Sequence, residues 1–309
     1  MTPIIEAKQL TKTYDHNTVV DNLNLQVQEG QVFGFLGPNG AGKTTTILML
    51  MGLTEPTKGE AHIGGFNSTR EPLQVKRISG YIPEKVGFYE DLSATYNLMY
   101  TARLNGLPDS KAKLAISQAL EEVGLKDNAG ALVSTFSKGM KQRLAIADIL
   151  IKSPRVAFLD EPTTGIDPAG ITQMLDLINQ IARKNNMTIV MSSHQLNQVE
   201  RICTHVGIMA KGKLVVEGSI AQLSKKAGGN KTVIDLQLAE VTTDIVEGIK
   251  KVNGVLKVER KDDLLVVTCL DDLRRQISKA IQDKNGLVVQ MKLQSYALED
   301  IYLKYFKEA

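Results

Sequence analysis

Apolar and polar positions alternate over Ile4–Leu10 and again over Leu23–Val27, which predicts two half-buried strands. Gln31–Leu36 (QVFGFL) is instead a near-continuous apolar run, the pattern of a parallel strand buried on both faces. A helix is predicted over Thr44–Met51, and the pairs Lys58-Gly59 and Gly64-Gly65 bracket a short strand in a hairpin-like segment. Helical periodicity returns over Ser110–Val123, with Ala112, Ala115, Ile116, Ala119, Leu120 and Val123 on one face. Val156–Leu159 and Thr188–Met191 read as two more short buried strands, each followed by polar, chemically loaded residues. Helices are predicted at Ala169–Lys184 and Gln195–Ile202. Strands alternating with helices imply an α/β fold with a largely parallel sheet, which places ligands at the carboxyl ends of the strands.

Ser224–Lys231 (SKKAGGNK) is small, polar and glycine-bearing, and the segment 225–231 reads as a linker. Beyond it the rhythm changes. Strands are expected at Thr232–Ala239, Val255–Glu259, Leu264–Thr268 and Leu287–Met291, and helices at Thr242–Val252 and Asp271–Lys284. That order, βαββαβ, is the ferredoxin-like pattern of a small α+β domain over 232–309. A last helix is expected to carry Leu298, Ile301, Tyr302, Tyr305 and Phe306 on one face, packed on its own domain or on a partner.

The chain of 309 residues is long enough for two domains. Its 37 Lys+Arg against 34 Asp+Glu give a net charge of +3, and residues 230–309 balance 13 against 13, so bulk electrostatics do not argue for a nucleic-acid partner. Cys203 and Cys269 stand far apart and form neither a disulfide framework nor a metal spacing. The N-terminus lacks the pattern of a signal peptide, and the most apolar run, Ile47–Leu53, is far shorter than the ~20 residues of a membrane span. His16, His62 and His205 are read as structural, and no Met/His/Cys cluster suggests that the chain holds copper.

The chemistry concentrates in a few stretches. Gly37-Pro38-Asn39-Gly40-Ala41-Gly42-Lys43-Thr44-Thr45 matches G-x-x-x-x-G-K-[ST] between a predicted strand and a predicted helix. The glycines let backbone N–H groups crowd a polyphosphate, and the helix N-terminus adds partial positive charge. Lys43 would reach the terminal phosphates, Thr44 would ligate Mg²⁺ and Thr45 would support the phosphates. Arg155–Glu161 (RVAFLDE) ends a buried strand in two carboxylates. Asp160 would hold Mg²⁺ through water, and Glu161 would orient or deprotonate an attacking water, which a hydrolase requires.

Thr135–Leu144 (TFSKGMKQRL) resembles the signature of ATP-binding cassette (ABC) ATPases, and the family's other motifs follow in order over roughly Ile4–Ser224. The resemblance implies that Tyr14 stacks on adenine, and that Glu84, in GYIPEKVGFYEDLS, lies in a loop sensing γ-phosphate and the membrane subunit. It implies that Gly165-Ile166-Asp167-Pro168 crosses a dimer interface, and that His194, in MSSH, holds the γ-phosphate and Glu161 in register. A helical subdomain is expected over about 88–150 of an ATP-binding domain spanning 1–224. ATP would be sandwiched between two copies, the phosphate loop of one facing Ser137, Lys138 and Gly139 of the other. Two motifs depart from the family pattern. The signature reads FSKGM instead of leucine-serine-glycine-glycine-glutamine, and Glu84 replaces the usual glutamine, which can donate where a carboxylate cannot.

Both variants, and the C-terminal extension ending SYALEDIYLKYF, resemble the ABC-2 type exporter subgroup, whose permease is a separate polypeptide. The expectation is a peripheral ATPase on the cytoplasmic face of the membrane. GYIPE, KVGFYEDLS and the LEDIY tail are similar to the ATPase of the exporter for copper-site assembly in nitrous oxide reductase, which would add a secreted accessory protein. Drug, lipid and antibiotic exporters share much of the pattern. Soluble ABC proteins acting on ribosomes resemble tandem cassettes, whereas this chain has one phosphate loop; those acting on DNA carry long coiled-coil insertions. The C-terminal domain is expected to brace the dimer or to bind a small regulator.

Overall fold

In the computed structural model, residues 3–223, 232–261, 264–294 and 302 are described. The chain divides into two compact units, 1–218 and 219–308.

In the first unit β1 (Ile5–Tyr14) and β2 (Asn17–Val27) form a long antiparallel hairpin. β1 runs four residues beyond the alternation at Ile4–Leu10, because the segment after Leu10 is held by pairing with β2 and β4 while its polar side chains are only half-buried or exposed. β3 (Val32–Leu36) is buried at every position, as its apolar run requires, and leads into α1 (Lys43–Leu50). β4 (Lys58–Ile63) pairs with β1 and turns through Gly64-Gly65 into β5 (Phe66–Asn67), completing an antiparallel sheet of order β2-β1-β4-β5.

α2 (Pro72–Ile78) and β6 (Ser79–Ile82) follow, then three helices: α3 (Ala94–Leu104), α4 (Asp109–Glu122) and α5 (Lys138–Leu150). The chain returns through β7 (Val156–Asp160), α6 (Pro168–Lys184), β8 (Thr188–Ser193), α7 (Leu196–Ile202), β9 (His205–Ala210) and β10 (Lys213–Ser219). These strands form a six-stranded sheet of order β10-β9-β3-β8-β7-β6, parallel between β9 and β3, β3 and β8, β8 and β7, and β7 and β6. Its register sets Leu36 beside Ser193 and Asp160 beside Ser192, so the loaded residues of three strands emerge at one level of the carboxyl edge. Phe33, Phe35, Phe158 and Val190 belong to the core cluster that fixes this level. Burial of each such side chain is worth about 1.5–3 kcal/mol.

The second unit runs β11 (Thr232–Leu238), α8 (Thr243–Lys250), β12 (Val255–Lys261), β13 (Leu264–Cys269), α9 (Arg274–Gln282) and β14 (Val288–Gln294). The expected βαββαβ order is present, in an antiparallel sheet of order β12-β13-β11-β14. Ile245 and Ile249 of α8 and Ile277 and Ile281 of α9 bury against Ile234, Leu236, Leu265 and Val267, so this unit has its own core. Apart from Tyr302, the final helix read from the sequence lies outside the described residues, as does the linker 225–231.

Candidate functional site

The loop between β3 and α1 is shaped by two glycines above all. A Cβ on Gly37 would overlap the backbone carbonyl oxygen of Met209. Gly42 has φ +99°, and a Cβ there would lie 2.5 Å from the Val19 carbonyl. Only a bare backbone fits both places. α1 then starts at once, its first turn closed by Thr46, whose N–H and hydroxyl each donate to the Gly42 carbonyl at 2.9 Å. The result is a cleft of about 420 Å³, lined by residues 39–45 together with Val19, Glu84 and Glu161.

Lys43, 6% exposed, bends back over the loop. Its ammonium donates to the carbonyls of Gly37 at 2.7 Å and Pro38 at 3.1 Å and lies 3.7 Å from Glu161 Oε1. Burial pulls its pKa below the usual lysine value, against the opposing pull of the Glu161 and Asp160 carboxylates. A cation so poised gains when a polyphosphate enters.

Asp160, buried at the end of β7, accepts a hydrogen bond from the Ser192 hydroxyl. Glu161 follows with φ +48°, a left-handed backbone uncommon for a side chain of this size. Its N–H donates to Ser192 Oγ at 3.0 Å and to the Ser192 carbonyl at 3.3 Å. Both Glu161 carboxylate oxygens lie 3.0 Å from His194 Nδ1. The carboxylate thus has an imidazole nitrogen at 3.0 Å and an ammonium at 3.7 Å, at the edge of the cleft. A carboxylate held this way can orient water and take its proton.

Behind it lies a second polar layer. The Thr163 hydroxyl donates to Gln198 Oε1 at 2.6 Å, and Ser193 Oγ accepts the Gln195 N–H at 3.0 Å. Ser192 and Gln198 were not singled out from sequence. One signal was available for Ser192: a parallel strand buried on both faces should end in apolar residues, and MSSH does not.

Asn39, Gly40, Ala41, Gly42, Lys43, Thr44, Thr45, Glu84 and Glu161 share the cleft. Ser137, Lys138, Gly139, Asp167 and Tyr14 are not among its lining residues. Ser137 and Asp167 instead cap helices: Ser137 Oγ accepts the Met140 N–H at 3.2 Å at the start of α5, and Asp167 Oδ2 accepts the Gly170 N–H at 3.1 Å at the start of α6. Tyr14 is 46% exposed, with the Lys12 ammonium 4.8 Å above its ring. Among the described residues no three His, Cys, Asp or Glu side chains converge on a metal site.

A glycine-rich phosphate loop between a parallel strand and a helix, facing an Asp-Glu strand end and a histidine, defines a P-loop ATPase. A family model described as ABC transporter matches residues 20–164. The bacitracin transport ATP-binding protein BcrA of Bacillus licheniformis is 44% identical over 80% of this chain and 78% of its own length. The daunorubicin/doxorubicin resistance ATP-binding protein DrrA of Streptomyces peucetius is 30% identical over 98% of this chain and 92% of its own. A solved ATP-binding subunit of an ABC transporter is 31% identical with a TM-score of 0.66, over 73% of this chain and 93% of that one. The chain belongs to the ABC transporter family, as an ATP-binding, ATP-hydrolysing subunit.

Proposed function

We propose that this chain is the motor of an exporter of the ABC-2 type, working as a homodimer that closes around two ATP and drives a separate membrane permease. The observation that carries the reading is the Glu161 carboxylate held between His194 and Lys43 at the mouth of the phosphate loop. Ser137, Lys138 and Gly139 lie outside that cleft, which supports a composite site completed by a second copy. In this reading the loop N–H groups and Lys43 bind the phosphates, Glu161 activates water and His194 fixes Glu161 and the γ-phosphate. Ser137, Gly139 and the α5 N-terminus cap the γ-phosphate in trans. Tyr14 covers the adenine. Magnesium suits the hard oxygen set of Thr44, Asp160 and Glu84, of which Thr44 and Glu84 line the cleft. No helix of the described residues is long and apolar enough to cross a membrane, in keeping with a peripheral subunit docked on its permease.

Glu161→Gln keeps the shape and removes the base. Steady-state ATP turnover should fall at least about 100-fold, and the variant should accumulate as an ATP-bound dimer in size-exclusion chromatography. Unchanged turnover would refute the assignment.

For the cargo, the names of the relatives favour export of an antibiotic or drug. A second reading, copper-site assembly of nitrous oxide reductase, is supported by GYIPE and KVGFYEDLS around Glu84 and by the LEDIY tail. Purification from detergent-solubilised native membranes separates the two. A permease alone supports the antibiotic or drug reading, whereas a permease with a secreted accessory protein supports the copper-site reading. Recovery with ribosomes, or with no membrane protein, would overturn both.

A further inference from the structure

The loop from Glu161 to Asp167 joins the end of β7 to α6, and both of its ends are pinned. At the start, Glu161 is held by Ser192 and His194. At the end, Asp167 caps α6. Between them Gly165 has φ +73° and no side chain of its own to anchor it. What covers it is Lys138, the lysine that interrupts the signature. A Cβ on Gly165 would overlap Lys138 Nζ and lie 3.0 Å from its Cε and 3.2 Å from its Cδ, so the far half of the side chain lies along the bare backbone. The neighbouring contact is looser: a Cβ on Gly139 would meet Ile166 Cγ2 at 3.8 Å. In the first turn of α5, Ser137 supplies the cap and Lys141 pairs with Glu90 at 2.5 Å.

We propose that Lys138 is a positioning residue, whose aliphatic stem clamps the 161–167 loop to the first turn of α5 and thereby holds Glu161 in its productive orientation. The inference rests on the reading of Glu161 as the residue that activates water. A glycine at position 138, the residue of the common family signature, has no stem to lay on the loop. Here the lysine covers a left-handed backbone position that has no side chain of its own. The stem acts by packing, as long cationic side chains do when they cover neutral surface. The ammonium end lies nearest the glycine, where a Cβ would stand, with the stem behind it.

The test compares Lys138→Ala with Lys138→Met in the full-length chain, each checked for folding by circular dichroism, with Glu161→Gln alongside. Lys138→Ala should lower kcat for ATP about tenfold with KM within about twofold, since misplacing a catalytic group by a fraction of an ångström costs on that order. Peptides spanning 161–167 should exchange amide hydrogen faster in this variant. Lys138→Met keeps the stem and should recover at least half of wild-type kcat. An unchanged kcat in Lys138→Ala overturns the proposal. So does a loss in Lys138→Met equal to that in Lys138→Ala, which would assign the effect to the charge, or a rise in KM alone, which would assign it to ATP binding. If Glu161→Gln itself turns over normally, the reading beneath the proposal fails, and the proposal with it.

Discussion

Ser192 ties together the two carboxylates of the site, and its removal tests that reasoning most directly. The residue is fully buried, and its hydroxyl donates to Asp160 and accepts the Glu161 N–H at 3.0 Å. In Ser192→Ala, Asp160, 2% exposed, loses a charge-assisted donor in a place water reaches poorly. That alone costs about 2–3 kcal/mol. The Glu161 N–H keeps only its longer bond to the Ser192 carbonyl, at 3.3 Å, which adds up to about 1 kcal/mol. The void left by one oxygen contributes little. The expected loss is therefore about 3 kcal/mol, or about 100-fold in the opening equilibrium of this edge of the sheet. Hydrogen exchange of peptides covering β7 and β8 reads that equilibrium within the ATPase unit; a global melt would mix two units, and the chain has no tryptophan to report on one of them. Ser193→Ala is the internal control. Ser193 caps the Gln195 N–H and meets Gln198 at 3.4 Å but touches no carboxylate, so its loss should be about 1 kcal/mol. Equal exchange in Ser192→Ala and wild type, or a larger effect at Ser193, would show that Asp160 does not depend on this hydroxyl.

Gly42→Ala should weaken ATP binding at least about tenfold in equilibrium titration, because φ +99° strains any L side chain and the new methyl would press on the Val19 carbonyl. Asp148→Asn should stabilise the chain by about 1 kcal/mol at neutral pH. Asp148 Oδ1 is buried without a hydrogen-bond partner, and burial raises this carboxyl above its ordinary 3.8, although Thr101 and Lys152 oppose the shift. Since the folded pKa is the higher one, the penalty of holding the charged form sets in as pH rises through the folded value and is absent below 3.8. The advantage of Asp148→Asn in urea denaturation should accordingly disappear on acidification. Gly286→Ala should destabilise the second unit while leaving exchange in β7 and β8 unchanged, because the added methyl would lie 2.6 Å from Ile281 Cγ2 and 2.8 Å from Ile245 Cδ1.

The strands that carry the site were legible because burial on both faces writes a continuous apolar run: QVFGFL, VAFL and TIVM became β3, β7 and β8. The phosphate loop was legible for a related reason, since a backbone that must approach a ligand cannot carry side chains. The helices α3 and α5 were not read as elements. α5 carries Lys138, Gly139 and Lys141 in its first turn and Gln142 at a buried position, so its polar motif masks the 3.6-residue rhythm. What periodicity cannot report at all is which residues meet across the sheet. Asp160 and Ser192 are 32 residues apart and become partners only through the register of two parallel strands. Lys138 and Gly165 meet only because α5 and the loop after β7 converge, and neither residue shows a pattern along the chain that anticipates the other. On the proposed reading the motifs specify the groups that touch phosphate, and the orientation of those groups rests on contacts made by residues such as Ser192 and Lys138. A chain could retain every glycine of the loop and both carboxylates and still lose turnover through either of these two positions. Exchange in β7 and β8 and kcat measured together on the same variants distinguish the two routes: Ser192→Ala should change both, and Lys138→Ala should lower kcat and loosen 161–167 while leaving β7 and β8 unchanged.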